Sequence, residues 1–167
     1  KLNDFLSKTG VTARVLGYKS RASAKAREHI LSRIQNKDYD ILVTTTAFLS
    51  RRFDLLRSSG VYFDVILVDD ADSLLKNSGN IDKVLMLLGF CEEELRIAYE
   101  LIKLRMMYSY ALSIKSEEAV DIALKIEELS LRLSELKGAS QRGQLIIASA
   151  TGRQIGLKPK LFKELLD

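Results

Sequence analysis

The chain has 167 residues, 47% of them hydrophobic and 29% charged, with one proline, nine glycines and a net charge of +4. This is the composition of a globular domain with a real core, and it excludes disordered and collagen-like chains. No apolar run approaches the roughly 18 residues of a membrane span, and Lys1-Leu-Asn-Asp has no signal-peptide pattern, so a cytoplasmic location without a membrane partner is expected.

Leu2, Phe5 and Leu6 at helical spacing before Gly10 predict the tail of a helix. A chain that opens on the last turns of a helix is expected to be a fragment of something longer. Residues 11–18 read as a strand. Ser20 and Ser23 introduce a helix over about 22–35, on whose charged surface the single histidine, His29, is expected to be solvated. Residues 40–46, Asp-Ile-Leu-Val-Thr-Thr-Thr, predict a second strand ending in hydroxyls. Thr46 can cap the helix that follows, which carries Arg51 and Arg52 one turn on. Hydroxyls and backbone N–H groups at a helix start, backed by two arginines, suit phosphates; a Thr-capped surface helix is the equally weighted structural reading.

Residues 65–68, Val-Ile-Leu-Val, are a continuous apolar run, the pattern of a strand covered on both faces in a parallel sheet. The run discharges into Asp69, Asp70 and Asp72. Carboxylates at the C-terminal end of such a strand lie where open α/β sheets bind ligands. Short helices are expected at 73–76 and 81–88, the second stopped by Gly89. Strands alternating with helices make a parallel sheet the default.

From Glu92 to about Lys137 the pattern changes to two long helices. Ile122, Ile126, Leu129, Leu133 and Leu136 form an a/d seam on the second of them, and a break near 113–116 makes the pair an antiparallel hairpin. Met106, Met107 and Tyr108 are expected to lie in its core. Lone Cys91 allows no internal disulfide and, with His29, no credible zinc site. Residues 144–149 return as another buried strand that ends in Ser149 and Thr151, and Pro159 suits the first turn of a last helix over 160–166.

Charge is uneven along the chain. Residues 1–60 hold twelve Lys/Arg against five Asp/Glu, whereas 91–137 hold seven against ten. The first third therefore fits a polyanion-binding surface or, equally on charge alone, a merely soluble basic one, and the average surface of the hairpin argues against DNA contact.

Leu67-Val-Asp-Asp-Ala-Asp72 followed by Ala148-Ser-Ala-Thr151 resembles motifs II and III of superfamily 2 helicases, and Ile41-Leu-Val-Thr-Thr-Thr46 falls where their motif Ib lies. A longer resemblance, carried by Val68–Lys76, Asn80–Phe90, Ser149–Arg153 and Gly156–Leu166, is to the helicase-like module of reverse gyrase. That family joins a superfamily 2 ATPase to a type IA topoisomerase and introduces positive supercoils into DNA, and it is associated with hyperthermophiles.

The resemblance implies an α/β fold: a partial RecA-like parallel sheet over 1–90 and 138–167, with flanking helices and an inserted helical hairpin at 91–137. It implies that Asp69 holds Mg²⁺ through water and that Asp70, one methylene shorter than the usual helicase glutamate, activates the water that attacks ATP. Asp72 would bond to Ser149 and Thr151. Thr45 would contact the DNA backbone, with Thr46, Arg51 and Arg52 beside it.

Ala71 stands where the family usually has valine, which leaves the carboxylates unaffected. No G-x-x-x-x-G-K-[ST] stretch occurs in the chain. The phosphate loop, the second RecA-like domain and the topoisomerase domain are therefore expected elsewhere in one polypeptide, and this segment alone is expected to neither hydrolyse ATP nor cut DNA. An ordinary DNA or RNA helicase domain and a non-catalytic α/β interaction module remain the alternatives.

Overall fold

The computed structural model describes residues 2–18, 22–69, 74, 78–139, 141–148 and 157–166. They form two compact units, residues 1–62 and 63–167. Both are of mixed α/β type, as the alternation of strand and helix patterns predicts.

The first unit runs α1 (Leu2–Lys8), β1 (Val15–Gly17), α2 (Ala24–Gln35), β2 (Ile41–Val43) and α3 (Thr46–Ser58). The two strands are parallel, with Val15 opposite Ile41 and Gly17 opposite Val43. They need a crossover, and α2 supplies it. Ser23 starts that helix, its Oγ accepting from the backbone N–H of Ala26 at 3.3 Å. Leu16, Ile34, Phe48, Phe53 and Leu56 are buried and form the core of the unit. Beside it the Tyr18 and Phe48 rings lie 4.3 Å apart. The strand predicted over 11–18 is shorter than expected, and His29 is exposed as expected.

The second unit runs β3 (Val65–Asp69), α4 (Ser78–Leu87), α5 (Glu92–Ser113), α6 (Glu118–Gly138), β4 (Gln144–Ala148) and α7 (Leu157–Leu166). β3 and β4 are parallel, in register from Val65 opposite Gln144 to Asp69 opposite Ala148. Gly89 follows α4 with φ +102, a left-handed stop that costs glycine little. Both α6 and α7 pack on α5. The predicted seam is realised: Leu104, Ala111 and Ile122 are buried together, with Tyr108, Ala119, Ile126 and Leu129 packed around them. Pro159 falls in the first turn of α7, which begins three residues earlier than expected.

Three expectations need correcting. Met106 and Met107 are exposed and only Tyr108 joins the core of the hairpin, because successive helix positions point about 100° apart. β3 is not covered on both faces either, nor is β4 buried: Val65 is 49% and Leu67 66% exposed, as is Ile146 opposite Leu67 at 48%, whereas Ile66 and Val68 are half-buried. Side chains alternate across a strand, and the described residues of this unit cover one face of its two-stranded sheet.

Candidate functional site

Asp69 is the last residue of β3, and its carboxylate is exposed. Its register partner is Ala148, the last residue of β4. Asp70 follows the one and Ser149 the other in sequence, so both motif segments begin at the same end of one parallel sheet. Asp70, Asp72, Ser149 and Thr151 themselves lie outside the described residues. Among the described residues no group of three or more His, Cys, Asp or Glu is arranged to hold a metal ion.

The DNA-contact candidates belong to the first unit. Thr45 is the N-cap of α3, in extended backbone at φ −114 and ψ 159, and its Oγ1 accepts from the backbone N–H of Phe48 at 3.2 Å. The helix therefore starts at Thr46, one residue earlier than an N-cap at Thr46 would place it. The Thr45 hydroxyl keeps its proton available for an outside acceptor. Arg51 and Arg52 are exposed on α3, and Arg52 has non-helical angles, φ −125 and ψ 17, at a kink. Among the described residues β2 pairs with β1 and β3 with β4, so Thr45 and Thr46 follow the end of a strand in one sheet and Asp69 ends a strand in the other.

The basic excess of the first third is partly consumed internally. Arg14, just before β1, donates to Asp40, just before β2, through Nη2 at 2.8 Å and through its backbone N–H at 2.7 Å. It also donates to Asp38 at 2.7 Å, which Arg33 of α2 meets at 2.8 Å. The Arg14 hydrogen bonds hold the Asp40 carboxyl down to about 2, and Arg33, followed by Arg14, lowers that of Asp38. These charges clamp the N-terminal ends of the strands, the end opposite to Thr44–Thr46. Arg14 and Arg33 are thus engaged within the unit, whereas Arg51 and Arg52 are exposed.

A second cluster, which sequence reasoning missed, lies in the second unit. Glu94 is 3% and Arg142 13% exposed at the side chain, and the two form an ion pair. One Glu94 oxygen also accepts from the Cys91 backbone N–H at 2.8 Å, capping α5. Arg142 donates further to the carbonyls of Gly89 at 3.0 Å and Leu136 at 3.3 Å, and its guanidinium sits 4.2 Å from the centre of the Phe90 ring. The arginine thereby ties both ends of the hairpin to the approach of β4. Glu92, Glu93 and Glu94 alike read as first-turn acids; nothing in the pattern singles out the buried one.

No protein-family model matches the chain. Individual relatives do. Reverse gyrase 2 of Aeropyrum pernix is 46% identical over 151 residues, 89% of this chain and 12% of the relative. The reverse gyrase of Methanocaldococcus jannaschii is 40% identical over 167 residues, all of this chain and 9% of the relative. Reverse gyrase 1 of Aquifex aeolicus is 40% identical over 148 residues, 87% of this chain and 12% of the relative. The chain thus spans about a tenth of the length of these relatives. Similarity this high across nearly all of its residues favours the longer of the two sequence resemblances, and the chain belongs to the reverse gyrases as the counterpart of one segment of that much longer protein.

Proposed function

We propose that this segment forms part of the first RecA-like domain of a cytoplasmic enzyme that uses ATP to introduce positive supercoils into DNA. It would carry the metal-and-water half of the ATPase site and one stretch of the DNA track. The observation behind the reading is that a chain 40–46% identical to reverse gyrases ends two adjacent parallel strands where motifs II and III begin. The exposed apolar face of β3, unusual for a parallel sheet, fits a segment whose sheet is completed by other parts of the polypeptide.

The one described carboxylate of the motif is a donor of the type that magnesium takes. Asp69 offers an exposed hard oxygen ligand, and Mg²⁺ is commonly held by one or two carboxylates, with waters and substrate phosphates filling the remaining positions. When bound beside ATP, the ion would neutralise charge on the β- and γ-phosphate oxygens. Asp70 would orient the attacking water and take its proton. Asp72 would hold Ser149 and Thr151, linking the nucleotide site to the DNA face. Thr45 would donate its hydroxyl proton to a DNA phosphate while capping α3, and Thr46, Arg51 and Arg52 would contact the same backbone. The phosphate loop, the second RecA-like domain and the type IA topoisomerase domain would come from the rest of the polypeptide.

Replacing Asp70 by Asn in the whole enzyme tests this. DNA-stimulated ATPase and supercoiling should fall by at least about a hundredfold, the usual weight of a positioned general base, with DNA binding retained. Unchanged ATPase would leave the segment as an interaction module. The purified 167-residue chain should show no ATPase with or without DNA, and measurable turnover would refute the division of labour.

A further inference from the structure

The outward side of α6 has no partner among the described residues. Val120, Leu124 and Leu131 are 66%, 60% and 64% exposed, and at about 100° per residue they fall within about 40° of one another, opposite the seam that packs on α5. Three large apolar side chains in one stripe along a helix differ from the scattered exposed leucines of any surface.

Charge around the stripe is one-sided. Glu117, Glu127, Glu128 and Glu135 are exposed along its flanks. The three cations of the helix, Lys125, Arg132 and Lys137, fall on the half turned towards α5. Arg132 is engaged there with Glu93 of α5 at 3.2 Å, and it reaches Glu135 only at 3.8 Å. An apolar stripe flanked by carboxylates alone repels nucleic acid, and it equally repels a second copy of itself. It complements an apolar protein surface edged with Lys and Arg, as flanking charges select partners in paired helices.

From these observations we infer that the outward face of α6 is a docking surface for an apolar protein segment edged with Lys and Arg and supplied by another part of the same polypeptide. The source rests on the reading of the chain as one segment of a longer protein, whose relatives have about nine-tenths of their length outside it. The hairpin then braces that segment through its back while its seam holds it to its own unit.

Site-specific photo-crosslinking in the intact parent polypeptide tests this. Benzoylphenylalanine replaces Leu124 in one preparation and Leu131 in another, with Lys125 as the control. All three positions are exposed, so the fold tolerates the probe. Illumination should give an intramolecular link from 124 and 131 to one Lys/Arg-rich segment outside these 167 residues, at several times the yield from 125. The inference is overturned by no link from 124 or 131, by equal yield from 125, by links between copies or to added duplex DNA, or by a link to an acidic segment. A parent polypeptide no longer than this chain would show on a gel before illumination and would sink the reading beneath it; a long parent without the link sinks the docking surface alone.

Discussion

Each unit of the molecule is built on a pair of parallel strands fastened by arginine, and the two fastenings sit in different media. Arg14, Asp38 and Asp40 join the heads of β1 and β2 at the surface, each with about half of its side chain exposed. Arg142 and Glu94 join the hairpin to the approach of β4 out of water. Surface pairs gain little because water already solvates both charges. A buried pair is costly to break because the charge left behind has nothing to replace its partner. Similar chemistry should therefore give a soft clamp in the first unit and a brittle one in the second.

Arg142→Ala is the severest test of that difference. It leaves Glu94 with one backbone hydrogen bond and removes donors from the carbonyls of Gly89 and Leu136. A loss of about 3–5 kcal/mol is expected, read from urea unfolding, with Glu94→Ala similar and the double variant well short of the sum. Additive losses would show that the pair is not one unit.

Gly143→Ala comes next. A Cβ there would lie 2.0 Å from the carbonyl oxygen of Phe63 and 2.8 Å from a Leu88 methyl. The backbone must move where the Gly143 and Gln144 N–H groups bond the carbonyls of Leu88 and Asp64 at 3.0 and 2.7 Å. Overpacking of this kind costs about 1–3 kcal/mol, so a thermal midpoint within a degree of the parent would mean that β4 is held less tightly than its register suggests.

In the first unit, Thr45→Ala should cost about 1 kcal/mol through the lost cap of α3, and Thr45→Ser should restore it. If Thr45 also meets DNA, the alanine variant weakens binding of a duplex to the whole enzyme, and the serine variant recovers that too. Recovery of stability without recovery of binding would confine the residue to capping.

Much of this was legible because it rests on local chemistry. The a/d seam from Ile122 to Leu136 fixes which side of α6 meets α5, and the glycine at 89 fixes where α4 stops. The positions of the β3 and β4 ends were legible too, since an apolar run that gives way to carboxylates or hydroxyls marks where a strand stops, and Asp69 and Ala148 are the last, register-paired residues of the two strands. What escaped is non-local. Glu94 is one of three consecutive glutamates, and only the arrival of Arg142 from 48 residues away makes it the buried one. The exposed face of Leu67 escaped for a related reason: an apolar run states what a strand needs against it, and these residues supply cover to one face.

The smallest expected effect concerns pH. Asp40 is held down to about 2 from an ordinary value of 3.8, so its contribution is complete above the ordinary value and disappears as pH falls through the lower one. Asp38 is shifted in the same direction. The first unit should therefore lose stability between about pH 4 and 2, the interval set by these two limits for Asp40, and Asp40→Asn should flatten that part of the profile. Because the clamp is exposed, salt at about 1 M, where the screening length is about 3 Å, should blunt the same step while leaving the Arg142→Ala penalty of the second unit nearly intact. Equal salt sensitivity in the two units would mean that burial does not divide them, and the contrast between soft and brittle clamps would fail.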